Sequence, residues 1–195
     1  MQHKVKLTVI DKKLYPELQK QYCADPNSGA CPCYNVGDEF IFERYGTADD
    51  FWHMGLNTLK QTVNTVDGIA GGTAFPHCSE AWDAISRYIY TGLQGGSIMR
   101  GWMSDERVMI ACCSDGTRPV IFKIERMGYK AIYIEGITDI DFQNKVKDTV
   151  MQIEAVTDVV FRDEYAEIYL QNDVADEVLK STVENCGKYG VIKID

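Results

Sequence analysis

The sequence predicts an α+β protein in two parts. A small cysteine-bearing α+β domain spans residues 1–127, and a domain of order βαββαβ spans residues 128–195. Three observations carry this. Hydrophobic spacing alternates between periods of two and of 3.6 residues, the marks of strand and helix. Met127-Gly128 punctuates the chain between two complete sets of such segments. Six of the seven cysteines fall before that joint.

In the first part, residues 4–10 alternate, with Val5, Leu7 and Val9 on one side, as in a half-buried strand. Residues 14–22 predict a short helix, and Asp25-Pro26-Asn27-Ser28-Gly29 a loop. Val36-Gly37-Asp38 predicts a tight turn into a strand over residues 39–43. An amphipathic helix is expected over residues 51–66 and a loop over residues 68–72. Ser79 is the expected N-cap of a helix whose apolar positions are Ala81, Trp82, Ile85, Tyr88, Ile89 and Leu93, ended by Gly95-Gly96. Residues 108–113 and 119–126 predict two strands. Asp115-Gly116 between them suits a type I′ hairpin turn.

The second part opens with a strand over residues 130–135. Thr138 and Asp141 suggest a capping-box-like start to a helix with the stripe Phe142, Val146, Val150 and Ile153. Strands follow over residues 156–161 and 165–170. A second helix carries Val174, Val178, Leu179, Thr182, Val183 and Cys186, with Gly187 as its C-cap, before a last strand over residues 191–194. Four strands with two helices on one face make a ferredoxin-like sandwich. The loop Gly136-Ile137-Thr138-Asp139-Ile140-Asp141-Phe142 resembles that of the heavy-metal-associated domain, which reads Gly-Met-x-Cys-x-x-Cys. Asp139 and Phe142 stand at the two cysteine positions. The resemblance implies that the fold is kept and that soft-metal binding by this loop is lost, because a carboxylate and a phenyl ring do not replace two thiolates.

Net charge is −9, and residues 128–195 contribute 14 acidic against 7 basic side chains. Such a surface repels phosphate backbones, so nucleic acid is not an expected partner. No apolar run approaches the roughly 20 residues that cross a bilayer, and no leader-like segment opens the chain, so a cytoplasmic protein with no membrane partner is expected. In that compartment cysteines are free thiols, metal ligands or redox groups rather than structural disulfides. The acidic C-terminal half is a candidate surface for self-association or a protein partner.

Cys186 lies on an apolar helix stripe and reads as packing. Cys23 has no partner nearby in sequence. Cys78 precedes a helix start, where free N–H groups favour a thiolate, with His77 beside it as a ligand or base. Packing under Trp82 is the competing reading. Cys112 and Cys113 are neighbours on a strand and point to opposite faces unless a bulge intervenes. Cys113, next to the turn, is the expected functional one, and Cys112, on the face of Ile110, the expected packed one. Arg118 and Lys123 are candidates to stabilise a thiolate or an anion. Residues 3–126 also resemble a family of short prokaryotic proteins of no established activity. The matches are Gly29-Ala30-Cys31-Pro32, Gly37-Asp38-Glu39-Phe40, Cys78 with Trp82, and the run from Cys112 through Lys123. This resemblance selects Cys31, Cys78, Cys112 and Cys113 and leaves Cys33 outside the pattern. Residues 44–75 are an insertion relative to it.

The leading expectation is a metal-binding or thiol-redox protein. Cys31, His77, Cys78, Cys112 and Cys113 are the candidate ligands, for zinc or iron, and Cys78 and Cys113 the candidate reactive thiols. One alternative is a non-enzymatic interaction module with structural cysteines. A third reading is a cysteine-nucleophile enzyme, for which the sequence supplies no complete nucleophile–base–orienter set.

Overall fold

The structure, a computed structural model, describes residues 1–44, 59–64, 78–187 and 189–195. Helices and antiparallel strands are mixed along the chain, an α+β fold. The chain divides into two compact units, Lys4–Arg126 and Met127–Asp195 with Met1–His3. The division falls within two strands, β1 (Gln2–Lys12) and β5 (Val120–Ile134).

In the N-terminal unit, β1 pairs with β2 (Glu39–Arg44), and β2 pairs with β3 (Leu59–Asn64), both antiparallel. β5 pairs with β1, and β4 (Val108–Cys112) runs antiparallel to β5. Helix α1 (Pro16–Tyr22) follows β1, and α2 (Ser79–Leu93) precedes β4. The alternation in β1 is realised: Val5, Leu7 and Val9 are fully buried. They join Phe40 and Phe42 of β2, Ala81, Ile85, Ile89 and Leu93 of α2, and Val120, Phe122 and Ile124 of β5 in one core. Gly37 takes the positive φ its turn demands, and its N–H donates to Val9 O at 2.8 Å.

Three local expectations are corrected here. The helix expected over residues 51–66 is a strand at Leu59–Asn64, where the backbone hydrogen-bonds to β2 in register from Glu39↔Asn64 to Arg44↔Leu59. Thr62 and Val63 are β-branched and favour that state. The rest of that expectation, and the loop over residues 68–72, lie outside the described residues. The N-cap of α2 is Cys78, not Ser79. The β4–β5 connection is not a type I′ turn, because neither Asp115 nor Gly116 has a positive φ. Asp115 Oδ1 instead accepts the N–H of Thr117 at 2.9 Å and the Thr117 hydroxyl at 2.8 Å, an Asx turn in a longer loop.

In the C-terminal unit the strand order is β8-β5-β7-β6, with β6 at Val156–Phe161, β7 at Tyr165–Leu170 and β8 at Val191–Ile194, all antiparallel pairs. Helices α3 (Ile140–Val150) and α4 (Asp176–Glu184) present Phe142, Val146, Val150, Leu179 and Val183 to Ile132, Ile134, Val159, Ala166 and Ile168. The expected stripes are therefore present, although Val178 is exposed. The boundary between the units falls at Met127, where the joint is expected, and the neighbouring Gly128 also serves a close approach. A Cβ there would lie 2.6 Å from Met1 Sδ and 3.3 Å from Leu170 O. The cap of α3 is Asp139 rather than Thr138, its carboxylate accepting the Phe142 N–H at 3.1 Å. The C-cap of α4 is Asn185; at Gly187 a Cβ would press on the Phe142 ring at 3.1 Å, so that glycine makes room for a side chain.

Candidate functional site

Most of the chain's thiols sit against the core of the N-terminal unit. Cys31 and Cys33 lie on the loop between α1 and β2, and that loop is held at both ends. Buried Gln19 of α1 donates to Gly29 O at 3.0 Å and accepts the Gly29 N–H at 3.2 Å, while Gly29 takes φ +74°. At the other end Tyr34 is buried, edge-on to Phe40 (6.2 Å) and Phe122 (5.4 Å), and its carbonyl accepts Lys12 Nζ. The segment Cys31-Pro32-Cys33 is thus suspended between two fixed points, and the chain bends at Pro32 and Cys33. Both thiols are half-buried against the core, as is Cys78 at the cap of α2.

Cys113 approaches from the end of β4 and is buried. Its N–H donates to Val120 O at 3.1 Å, and the Val120 N–H returns to Cys113 Sγ at 3.3 Å. Cys112, one residue earlier, points the other way. It is exposed, its Sγ donating to Cys113 O at 3.1 Å, with burial and then Cys113 pushing its thiol up from the ordinary value. The two neighbours are non-equivalent, as strand alternation requires. The expectation that Cys112 packs is overturned: the face it shares with Ile110 is the outward one, and both are exposed.

The thiols act on one another electrostatically. Burial, then the fields of Cys31 and Cys78 and a hydrogen bond to Cys31, push the Cys33 thiol up, and Arg118 opposes this. Burial, then Cys78, Cys33, Cys31 and Cys113 in that order, raise the Tyr34 phenol well above its ordinary value. One buried phenol therefore feels four thiols drawn from three separate segments. Arg118 lies beside Cys31 and Cys33 while its Nε bonds Asp115 Oδ2 at 3.0 Å.

Of the residues singled out by sequence, Cys31 and Cys78 pack against the core cluster to which Cys113 belongs, and Arg118 acts on Cys31. The fold sets Cys112 and Lys123 apart. Lys123 faces outward across from Ile110 and pairs with Glu125 at 3.0 Å. His77 lies outside the described residues. Sequence reasoning missed Cys33 and Tyr34. The available signal was the i, i+2 spacing of Cys31 and Cys33, which puts two side chains on one side of an extended segment.

A metal fits these residues only in donor chemistry. Thiols suit zinc or iron, but among the described residues no three His, Cys, Asp or Glu side chains are grouped to hold an ion. In the loop of residues 136–142, Asp139 caps α3, and Phe142 lies edge-on to Tyr189 at 4.9 Å. That loop offers no soft donor. No helix among the described residues is long and apolar enough to cross a membrane.

No protein-family model matches the chain, and neither a curated protein nor a solved structure does.

Proposed function

We propose that this is a cytoplasmic thiol-redox protein whose site is the set Cys31, Cys33, Cys78 and Cys113 around Tyr34. The single observation that supports it most is that four thiols from three segments lie in or against one core with Tyr34, whose phenol each of them raises, with Arg118 near Cys31 and Cys33. Cys31, Cys33 and Cys78 are half-exposed to solvent, which places them within reach of an oxidant. We read the C-terminal unit as a ferredoxin-like domain of degenerate heavy-metal-associated type. The order β8-β5-β7-β6 with α3 and α4 over one face supports this. Its acidic surface is proposed to dock a protein partner or a second copy of the chain rather than nucleic acid.

Zinc or iron held by the same thiols is the second reading, supported by their donor chemistry. One experiment separates the two. The full chain, purified without chelator, is assayed for metal content and for free thiols before and after exposure to glutathione disulfide. The redox reading expects no stoichiometric metal and a loss of two thiols that dithiothreitol restores. One zinc or iron per chain, with thiols protected until chelation, replaces it by the metal reading. Neither metal nor oxidisable thiols overturns both.

A further inference from the structure

Resting on the thiol reading above, we infer that Cys31 and Cys33 are the exchanging pair. They close a disulfide across Pro32 by reducing a low-molecular-weight disulfide, while Cys78 and Cys113 remain thiols. The geometry carries this in three ways. Residues two apart in an extended chain are separated by at most about 7 Å. The bend at Pro32 and Cys33 shortens that toward the roughly 4.4–6.8 Å between Cα atoms that a disulfide accepts. Of the neighbouring groups, Cys31 exerts the strongest field on the Cys33 thiol. The third point is accessibility. Cys31 and Cys33 are both partly exposed on a loop, whereas Cys113 is buried with its sulfur held by the Val120 N–H.

The chemistry balances with glutathione disulfide as oxidant. The Cys31 thiolate attacks one sulfur of that disulfide, the S–S bond breaks, and one glutathione leaves as thiolate. Cys33 then gives up its proton and attacks Cys31 Sγ, displacing the second glutathione. Two protein thiols lose two electrons and two protons, and the disulfide becomes two thiols. The same balance holds with the two thiols exchanged, whichever did not attack first displacing the second glutathione. Arg118 beside both sulfurs offsets the negative charge that develops as thiolate forms.

The test is peptide mapping of the full chain after incubation with glutathione disulfide and alkylation under non-reducing conditions. The expected product is one peptide containing a Cys31–Cys33 cross-link, lighter by two hydrogens, with Cys78 and Cys113 recovered alkylated. Cys33→Ser is expected to accumulate a glutathione adduct on Cys31, because the thiol that would displace it is gone. Cys112→Ser is expected to form the cross-link as the unsubstituted chain does. A cross-link that includes Cys78 or Cys113 overturns this pairing and leaves the thiol reading standing. No oxidation of any thiol in the correctly folded chain, together with no bound metal, overturns the pairing and the thiol reading together.

Discussion

Replacing Cys112 and Cys113 singly by Ser tests the strand-end geometry, because the two neighbours differ in every physical respect that matters. Cys113 is 8% exposed and belongs to the core, and its sulfur accepts the Val120 N–H at 3.3 Å. A serine oxygen sits on a shorter bond than sulfur, so that acceptor is withdrawn from the N–H. Its own hydroxyl proton enters the apolar core that Cys113 shares with Ala111, Val120 and Phe122. An unpaired buried hydroxyl costs about 1–3 kcal/mol. Cys113→Ala removes the acceptor without adding a donor, so it is expected to cost less than Ser, about 1 kcal/mol. Cys112 is exposed, and Ser there is expected to stay within about 0.5 kcal/mol of the parent chain. The assay is urea denaturation followed by tryptophan fluorescence, paired with native-state alkylation. Cys112 is expected to be modified in the native state, and Cys113 only on unfolding. If Cys112→Ser costs as much as Cys113→Ser, or if Ser at 113 is tolerated better than Ala, the opposite-face argument is wrong.

Three further outcomes are expected. Lys130 is buried, and its Nζ donates to Asp176 Oδ1 at 2.6 Å and pairs with Asp173 at 3.1 Å. Burial works against its charge and the two carboxylates outweigh it, so its pKa is raised. Lys130→Met should cost about 1–3 kcal/mol in a urea melt, less than a fully buried pair would, because both carboxylates stay largely hydrated; no measurable loss refutes this. Gly136 has φ +64° and faces the Tyr189 ring, so Gly136→Ala should cost about 1–2 kcal/mol in backbone strain plus the displacement of that ring. Tyr189→Ala should recover only the displacement, which a double-mutant cycle measures. Hydrogen bonds from Arg107 lower the Asp105 pKa to about 2. Its folded value lies below the unfolded one near 3.9, so the pair stabilises the chain fully above about pH 4 and loses that contribution as pH falls through about 2. The effect should be under about 1 kcal/mol for so exposed a pair, and Asp105→Asn should flatten that part of an acid-stability profile.

Where one face of an element is buried, its periodicity was legible. Val5, Leu7 and Val9 of β1 read as a half-buried strand and are one. Phe142, Val146 and Val150 read as a helix stripe and are one. The errors fall where backbone chemistry overrides pattern. Gly187 looks like a C-cap in sequence, yet it makes room for the Phe142 ring. Asp115-Gly116 looks like a two-residue turn, yet the Asp115 carboxylate organises a longer loop by taking the N–H and hydroxyl of Thr117. Leu59–Asn64 has no strong period of its own and is a strand through its hydrogen bonds to β2, which no local reading supplies.

The site was legible to the degree that it depends on strand alternation. That rule separated Cys113 from Cys112 correctly. It failed on what the outward face does, because sequence does not say which side of β4 the core occupies. Cys33 was set aside because the resemblance that selects Cys31, Cys78, Cys112 and Cys113 leaves it outside its pattern. Two thiols two residues apart need no such pattern, only a bend and anchors on either side. Gln19, ten residues before Gly29 in the chain, and Tyr34, packed on Phe122 of a distant strand, supply those anchors. Both act through tertiary contacts. The pairing of Cys31 with Cys33 is therefore local in sequence but set by residues that only the folded core brings to it.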